Sequence, residues 1–174
     1  AHDKDKARTW LLKAVQQNNM KAQYDLALDL EKEHQFDQAI GWFTKLANAG
    51  HIPSQYALGN LYLGYGGANR QPDRVRYWLD KAANAGSSNA QLALGITYMG
   101  GEQDFLTEPQ IGARWIQAAA NQNSARAQYV LAGLYNIGNG VPQSSELAIM
   151  WAKKSLDAGY SDAGILLRNI NKTQ

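Results

Sequence analysis

Three histidines stand at positions 2, 34 and 51, and the acidic residues Glu31 and Glu33 lie beside the second of them. Histidine and carboxylate are the groups from which acid–base sites and metal centres are built, but such sites need ligands at short, regular spacings. These histidines show no metal spacing, and no nucleophile–base pair stands out. The run Glu31-Lys32-Glu33-His34 reads as a solvated turn, and His34 and His51 as exposed linker residues. There is no cysteine, which removes disulfide scaffolds, thiol catalysis and Cys-ligated metals while leaving the redox compartment open. One stretch with catalytic or nucleotide-binding potential remains: Asn136-Ile137-Gly138-Asn139-Gly140-Val141-Pro142-Gln143. Glycine loops at a helix mouth can cradle phosphate. A dinucleotide fingerprint, however, requires Gly-x-Gly-x-x-Gly after a strand, and a P-loop requires Gly-Lys-Ser or Gly-Lys-Thr. Neither is present, so the sequence predicts no enzyme, no cofactor and no metal.

The chain has 174 residues, enough for one ordinary domain, and 45% of them are hydrophobic, too many for a disordered chain. Its net charge is +2, which points to no strongly charged partner. The nearest thing to a basic stripe, Arg70, Arg74, Arg76 and Lys81, is interrupted by Asp73 and Asp80 and reads as a solvated face rather than a nucleic-acid footprint. RNA reading by helical repeats would need basic and polar positions recurring on one face, and none recur. No run of about 18 apolar residues occurs, so no membrane-spanning helix is expected. The chain begins at Ala1 without a signal peptide and is read as a processed chain or an excised segment.

What does recur is tryptophan, at 10, 42, 78, 115 and 151, with intervals of 32, 36, 37 and 36. Such a period marks a repeat architecture. A small residue (Ala22, Ser54, Ala90, Ala127, Ala163) is always followed four places later by Leu26, Leu58, Leu94, Leu131 or Leu167. One place after the small residue come Gln23, Gln55, Gln91 and Gln128, then Gly164. Eight places after each Trp stands Asn18, Gly50, Gly86, Asn123 or Gly159. Each unit therefore reads as two helices. Helix A carries apolar or small residues at relative positions 0, +4, +5 and +8, one helical face. Helix B carries the Trp with small neighbours and ends on the Gly or Asn, a left-handed stop. Helix B starts are signalled by Thr107-Glu108-Pro109-Gln110, a capping box with an early Pro, and by Ser144-Ser145-Glu146. Gly138-Asn139-Gly140 falls between helix A and helix B, where Gly64 to Gly67 and Gly100-Gly101 also fall, so it is a bend and not a phosphate site.

The pattern Ala-Gln-x-x-Leu-Gly-x-x-Tyr, a Gly-rich loop, Trp-x-x-x-Ala-Ala and a closing Ala-Gly resembles the Sel1-like repeat family, relatives of the tetratricopeptide repeats. Residues 54–162 carry it in three full copies, and residues 127–142 come near the family pattern. The copy at 22–53 lacks the Gly-rich turn and looks more like a plain tetratricopeptide unit. The resemblance implies an all-α fold, a right-handed α-solenoid of antiparallel helix-turn-helix repeats. Expected segments are a partial repeat at 1–21, repeats at 22–53, 54–89, 90–126 and 127–162, and a terminal helix at 163–174. It also implies a non-catalytic scaffold for a protein partner, in bacteria often exported, envelope-associated or concerned with host-cell invasion. A periplasmic or secreted location is expected. Residues 163–171 show Ile165, Leu166 and Ile170 with no helix B to follow, so the ends are expected to self-associate or to continue into further repeats.

With the core positions of helix A centred near 65° on a wheel of about 100° per residue, the opposite side holds +2, +3, +6 and +9. In this family these positions would line the concave groove. They are Tyr24, Asp25, Leu28 and Glu31; Tyr56, Ala57, Asn60 and Leu63; Leu92, Ala93, Ile96 and Met99; and Tyr129, Val130, Gly133 and Asn136. Aromatic residues and Met with few charges are what interface cores favour. The expected partner is an extended or helical segment anchored by Tyr56, Tyr129 and Met99, with Asp25 and Asn60 setting its polarity. The bland alternative is that the Tyr at +2 pack between successive A helices and only stiffen the array.

Overall fold

The computed structural model describes residues 11–64, 71–100 and 107–172, and every regular element in them is helical. Residues 11–16 form α1. It is followed by α2 (Met20–Lys32), α3 (Phe36–Asn48), α4 (Ile52–Tyr62), α5 (Pro72–Asn84), α6 (Ser88–Tyr98), α7 (Pro109–Asn121), α8 (Ala125–Ile137), α9 (Ser145–Asp157) and α10 (Asp162–Lys172). The even-numbered helices are the A helices and the odd-numbered ones the B helices. The chain is thus all-α and built from helical hairpins. Its packing divides into two compact units, residues 1–82 and 83–174.

Helix ends follow from local chemistry. Asn19, Ser87 and Ser124 each begin an A helix by accepting a hydrogen bond from the backbone N–H three residues on, at 3.0, 3.3 and 3.4 Å. Each satisfies one of the donors a helix start leaves unpaired. Ser144 does the same for α9 at 3.2 Å. The residue eight places past each Trp is left-handed in every repeat, Asn18 at φ 58°, Gly50 at 87°, Gly86 at 91°, Asn123 at 62° and Gly159 at 91°. The B helices therefore stop where the sequence says. One start differs from expectation. Thr107 caps nothing; the cap residue of α7 is Glu108, which makes no side-chain cap bond, and Pro109 supplies the preset φ at the first turn.

The A helices α2, α4, α6 and α8 each bury their Leu at +4 and a small residue at +5, whereas α10 has a half-buried Leu167 and an exposed Arg168 there. Leu58, Leu94 and Leu131 are fully enclosed, each worth about 1.5–3 kcal/mol of burial. The small residue lets the next B helix close in. A Cβ on Gly59 would collide with the Leu79 side chain, and one on Gly95 would lie 2.8 Å from the Gly112 carbonyl. The Trp residues are less uniform than their period suggests. Trp78 and Trp151 are buried, whereas Trp42 and Trp115 are half-buried; Trp10 lies outside the described residues. At the far end Ile165 is exposed as expected, but Ile170 is 2% exposed because α10 packs on both α8 and α9. Gly138 and Gly140 have φ of 73° and 72°, and a Cβ on Gly140 would strike the Pro109 carbonyl. That loop is a filled bend.

Candidate protein-interaction surface

In the first unit, the +2, +3, +6 and +9 positions fall on α2 and at α4 with its C-cap Leu63. Tyr24, Asp25, Leu28, Tyr56, Asn60 and Leu63 are all part-exposed, and so is Glu31. Ala57 is buried. Tyr24 is held by rings on two sides. It meets the His51 imidazole edge-on at 4.9 Å between centroids and tilts against Phe43 at 5.8 Å. Burial raises the Tyr24 pKa above its ordinary value, and the charges of Glu31, Asp25 and Tyr56 add to the rise. Burial also raises the Glu31 pKa, with Lys32 opposing it. Asp25 is paired with Lys21 at 2.9 Å, an exposed i,i+4 pair of the sort worth a few tenths of a kcal/mol.

His51 is not the exposed linker residue that its place after a helix stop suggests. It occupies the cap position of α4 that Asn19, Ser87 and Ser124 occupy on their helices, half-buried, with Nδ1 2.8 Å from the Ser54 hydroxyl. Burial lowers its pKa. His34 is exposed and left-handed at φ 59°, consistent with a solvated turn.

The second unit arranges the same positions differently. Leu92 is 5% exposed and belongs to the core, while Ile96, Met99 and Val130 pack against that core. Met99 lies over Gly112, its sulfur 2.7 Å from where a Cβ would be. Tyr129 and Asn136 stay part-exposed, and the Tyr129 ring tilts against Tyr160 at 5.0 Å. Tyr24–His51 and Tyr129–Tyr160 are the same contact in repeat terms, the +2 residue of one A helix against the residue three before the next. Packing between successive A helices thus takes part of each Tyr ring and leaves an edge at the surface.

Among the described residues, no three or more His, Cys, Asp or Glu side chains cluster as a metal site, and no described helix is long and apolar enough to cross a membrane.

One feature shared by several repeats went unread in the sequence. Lys45, Lys81 and Lys154, three places after a Trp, lie over its indole at 5.3, 5.4 and 4.4 Å. The recurring Trp-x-x-Lys spacing was the available signal.

Comparison with known proteins bears on these surfaces. The Sel1 repeat model matches residues 1–19, 21–51, 52–87, 88–124 and 125–160. The copy without the Gly-rich turn is therefore a Sel1 repeat too, not a plain tetratricopeptide unit. A Sel1 repeat protein from Oxalobacter formigenes is 30% identical with a TM-score of 0.76; the match covers 93% of this chain and 48% of that one. The protein c5321, described as a protective antigen of uropathogenic Escherichia coli with an SLR fold, is 28% identical with a TM-score of 0.83, over 95% of this chain and 36% of that one. The chain thus spans about half and about a third of those two proteins. Helicobacter pylori cysteine rich protein B shares the fold at 21% identity and a TM-score of 0.55, over 70% of this chain and 96% of that one. No curated protein was found to match. With five repeats matched across nearly the whole chain and solved Sel1 structures sharing its helical hairpins, this chain belongs to the Sel1 repeat family.

Proposed function

We propose that the chain holds a segment of a protein partner on the outward side of its A helices, with the first unit as the main contact. Sel1 repeat proteins are generally protein-interaction scaffolds, and family members are typically non-catalytic. The observation that carries the specific reading is the part-exposed set Tyr24, Leu28, Tyr56 and Leu63 with Asp25, Glu31 and Asn60 among them. Aromatic and apolar groups ringed by polar ones are what interface cores use. Because desolvation raises the Glu31 pKa, a partner Lys or Arg placed there recovers a cost the free protein carries. The partner segment is therefore extended or helical, with a cation near Asp25 and Glu31. In the second unit Tyr129 and Asn136 are part-exposed at the same repeat positions, while Leu92, Ile96 and Met99 chiefly serve the core.

The test places a photo-crosslinking residue at Leu28 or Asn60 to capture the partner, then measures its affinity for Tyr56→Ala and Met99→Ala. Tyr56→Ala should weaken binding at least about tenfold, the range of an interface anchor, with its Tm kept. A lowered Tm with unchanged affinity would make Tyr56 mortar between helices and remove this surface. Met99→Ala should lower the Tm.

A second reading, self-association at the terminal repeat, is favoured by the exposure of Leu156 and Ile165, at 41% and 52%. Sedimentation of the wild type against Leu156→Glu/Ile165→Glu separates it from a monomer. A periplasmic or secreted location is proposed on the likeness to the protective antigen of uropathogenic Escherichia coli, and fractionation of the source cells tests it.

A further inference from the structure

The outward face of the B helices carries a second candidate, in the first unit. Gln38, Gly41, Trp42 and Lys45 of α3 line an open recess of about 340 Å³. A glycine forms part of its lining. Gly41 stands one residue before Trp42, and a Cβ there would meet nothing within 4 Å. Trp42 is left half-buried, and Lys45 lies over its ring at 5.3 Å.

The same four repeat positions on α5 are Arg74, Tyr77, Trp78 and Lys81. There the position of Gly41 holds Tyr77. Its ring meets the Trp78 indole edge-on at 4.8 Å and 79°, and its hydroxyl lies 2.6 Å from Lys81 Nζ, which donates to it. Lys81 also sits over the phenol ring at 4.5 Å. Trp78 is covered to 6% exposure. On α9 Met150 takes the position, Lys154 lies over Trp151, and Trp151 is likewise 6% exposed. Where a large side chain precedes the Trp of a Trp-x-x-Lys pair, the indole is buried. Only on α3, among the described pairs, does a glycine leave it open.

We infer that the α3 recess binds a tyrosine side chain presented by a protein partner, in the way that α5 binds its own Tyr77. The ring would stack edge-on against Trp42, and Lys45 would donate to the phenol oxygen. On α5 the Lys81 ammonium donates to the phenol oxygen, and a phenylalanine or methionine side chain offers no such acceptor, so the Lys45 ammonium selects the phenol. This site is separate from the A-helix face and stands whether or not that face binds.

The test is NMR of the full chain, following the Trp indole N–H and the Gly41 amide during titration with N-acetyl-tyrosinamide and N-acetyl-phenylalaninamide. Saturable shifts at Trp42 and Gly41 are expected, with the phenylalanine probe weaker by roughly tenfold, the scale of one hydrogen bond to a charged donor. Lys45→Ala should erase that preference. Gly41→Tyr should supply the ring from the chain itself and abolish the shifts without lowering the Tm, because the position is helical and open. Gly41→Met, the residue type of α9, is the substitute if the Tyr variant folds poorly. Absence of saturable shifts at Trp42, or equal shifts at Trp42, Trp78 and Trp151, would overturn the site. Equal binding of the two probes would overturn the part given to Lys45.

Discussion

A glutamine at the fourth residue of each of three A helices shows what a single side chain contributes. Gln55, Gln91 and Gln128 are buried, and each Nε2 donates to the carbonyl eight residues back, of Ala47, Ala83 and Ala120, at 3.2, 3.1 and 3.3 Å. Those carbonyls belong to the last turn of a B helix, which lacks enough intrahelical partners. The side chain thus ties the end of one helix to the start of the next. The other amide atom is treated unevenly. Gln91 Oε1 accepts from Gln122 Nε2 at 2.8 Å, while Gln55 Oε1 and Gln128 Oε1 meet no donor among the described residues. Gln122 is the C-cap of α7, and the matching C-cap of α9 is Ala158. Gln122→Ala should therefore cost about 1–3 kcal/mol by stranding a buried acceptor, and Ala158→Gln should gain about 0.5–1.5 kcal/mol by supplying one with a donor; urea denaturation reads both. His51 makes a pH prediction. Its folded pKa is below the ordinary 6.5, so the unfolded chain binds its proton first as pH falls. Stability from the neutral ring is then present above pH 6.5 and lost as pH drops through the folded pKa. Glu31 and Asp80, whose pKa values burial raises, act in the opposite sense because acid relieves the cost of their buried charge. Comparing the Tm of wild type and His51→Ser across pH 7.5 to 5 cancels their contribution. The wild type should lose ground to the variant on the acid side.

At the scale of the helix pair, the α6–α7 crossing is set by two glycines. The absent Cβ of Gly95 faces the Gly112 carbonyl at 2.8 Å, and that of Gly112 faces the Gly95 carbonyl at 2.7 Å. Backbone meets backbone there, and the Ile116 and Met99 side chains close on the same two points, at 2.5 and 2.7 Å. Gly95→Leu should cost about 1–3 kcal/mol by overpacking. Gly133 on α8 is the control, since a Cβ there meets nothing within 4 Å. Gly133→Ala should stabilise by about 0.5–1 kcal/mol through helix propensity alone. Two Gly substitutions of opposite sign in thermal melts would confirm that contact and not composition decides. Equal effects would refute the close-approach role.

At the scale of the whole molecule, the chain is a repeat array, and within each unit the helix pairs in contact are mainly sequence neighbours. A core defect should then act locally. Leu131 is fully enclosed, with Ile116, Ala127 and Trp151 in the same cluster. Leu131→Ala should cost about 2–5 kcal/mol, and amide exchange should lose protection first in α7, α8 and α9. Uniform loss of protection over every helix would show instead that the array unfolds as one piece.

Helix stops, the Leu rows and the repeat itself could be read directly from the amino-acid order, because each is a local or strictly periodic property. A left-handed residue at Asn18, Gly50, Gly86, Asn123 or Gly159 needs only its own backbone freedom, and Leu58 or Leu94 needs only the 3.6-residue period to fall on the buried face. Gly59 and Gly95 were legible for the same reason, as missing side chains on that face. The candidate site was legible only as a set of positions. Which of them stay at the surface depends on what the neighbouring helices bring against them. Leu92 and Tyr56 occupy the same place in their repeats, yet one is core and the other part-exposed. His51 stands at the cap position that Asn19, Ser87 and Ser124 hold elsewhere, makes no side-chain cap bond, and packs instead against the Tyr24 ring. The Gln91–Gln122 bond joins residues 31 apart, a pairing no helical wheel displays. Trp42 and Trp78 share one position in the period, and the tertiary structure separates them through a single neighbour, glycine in one repeat and tyrosine in the other.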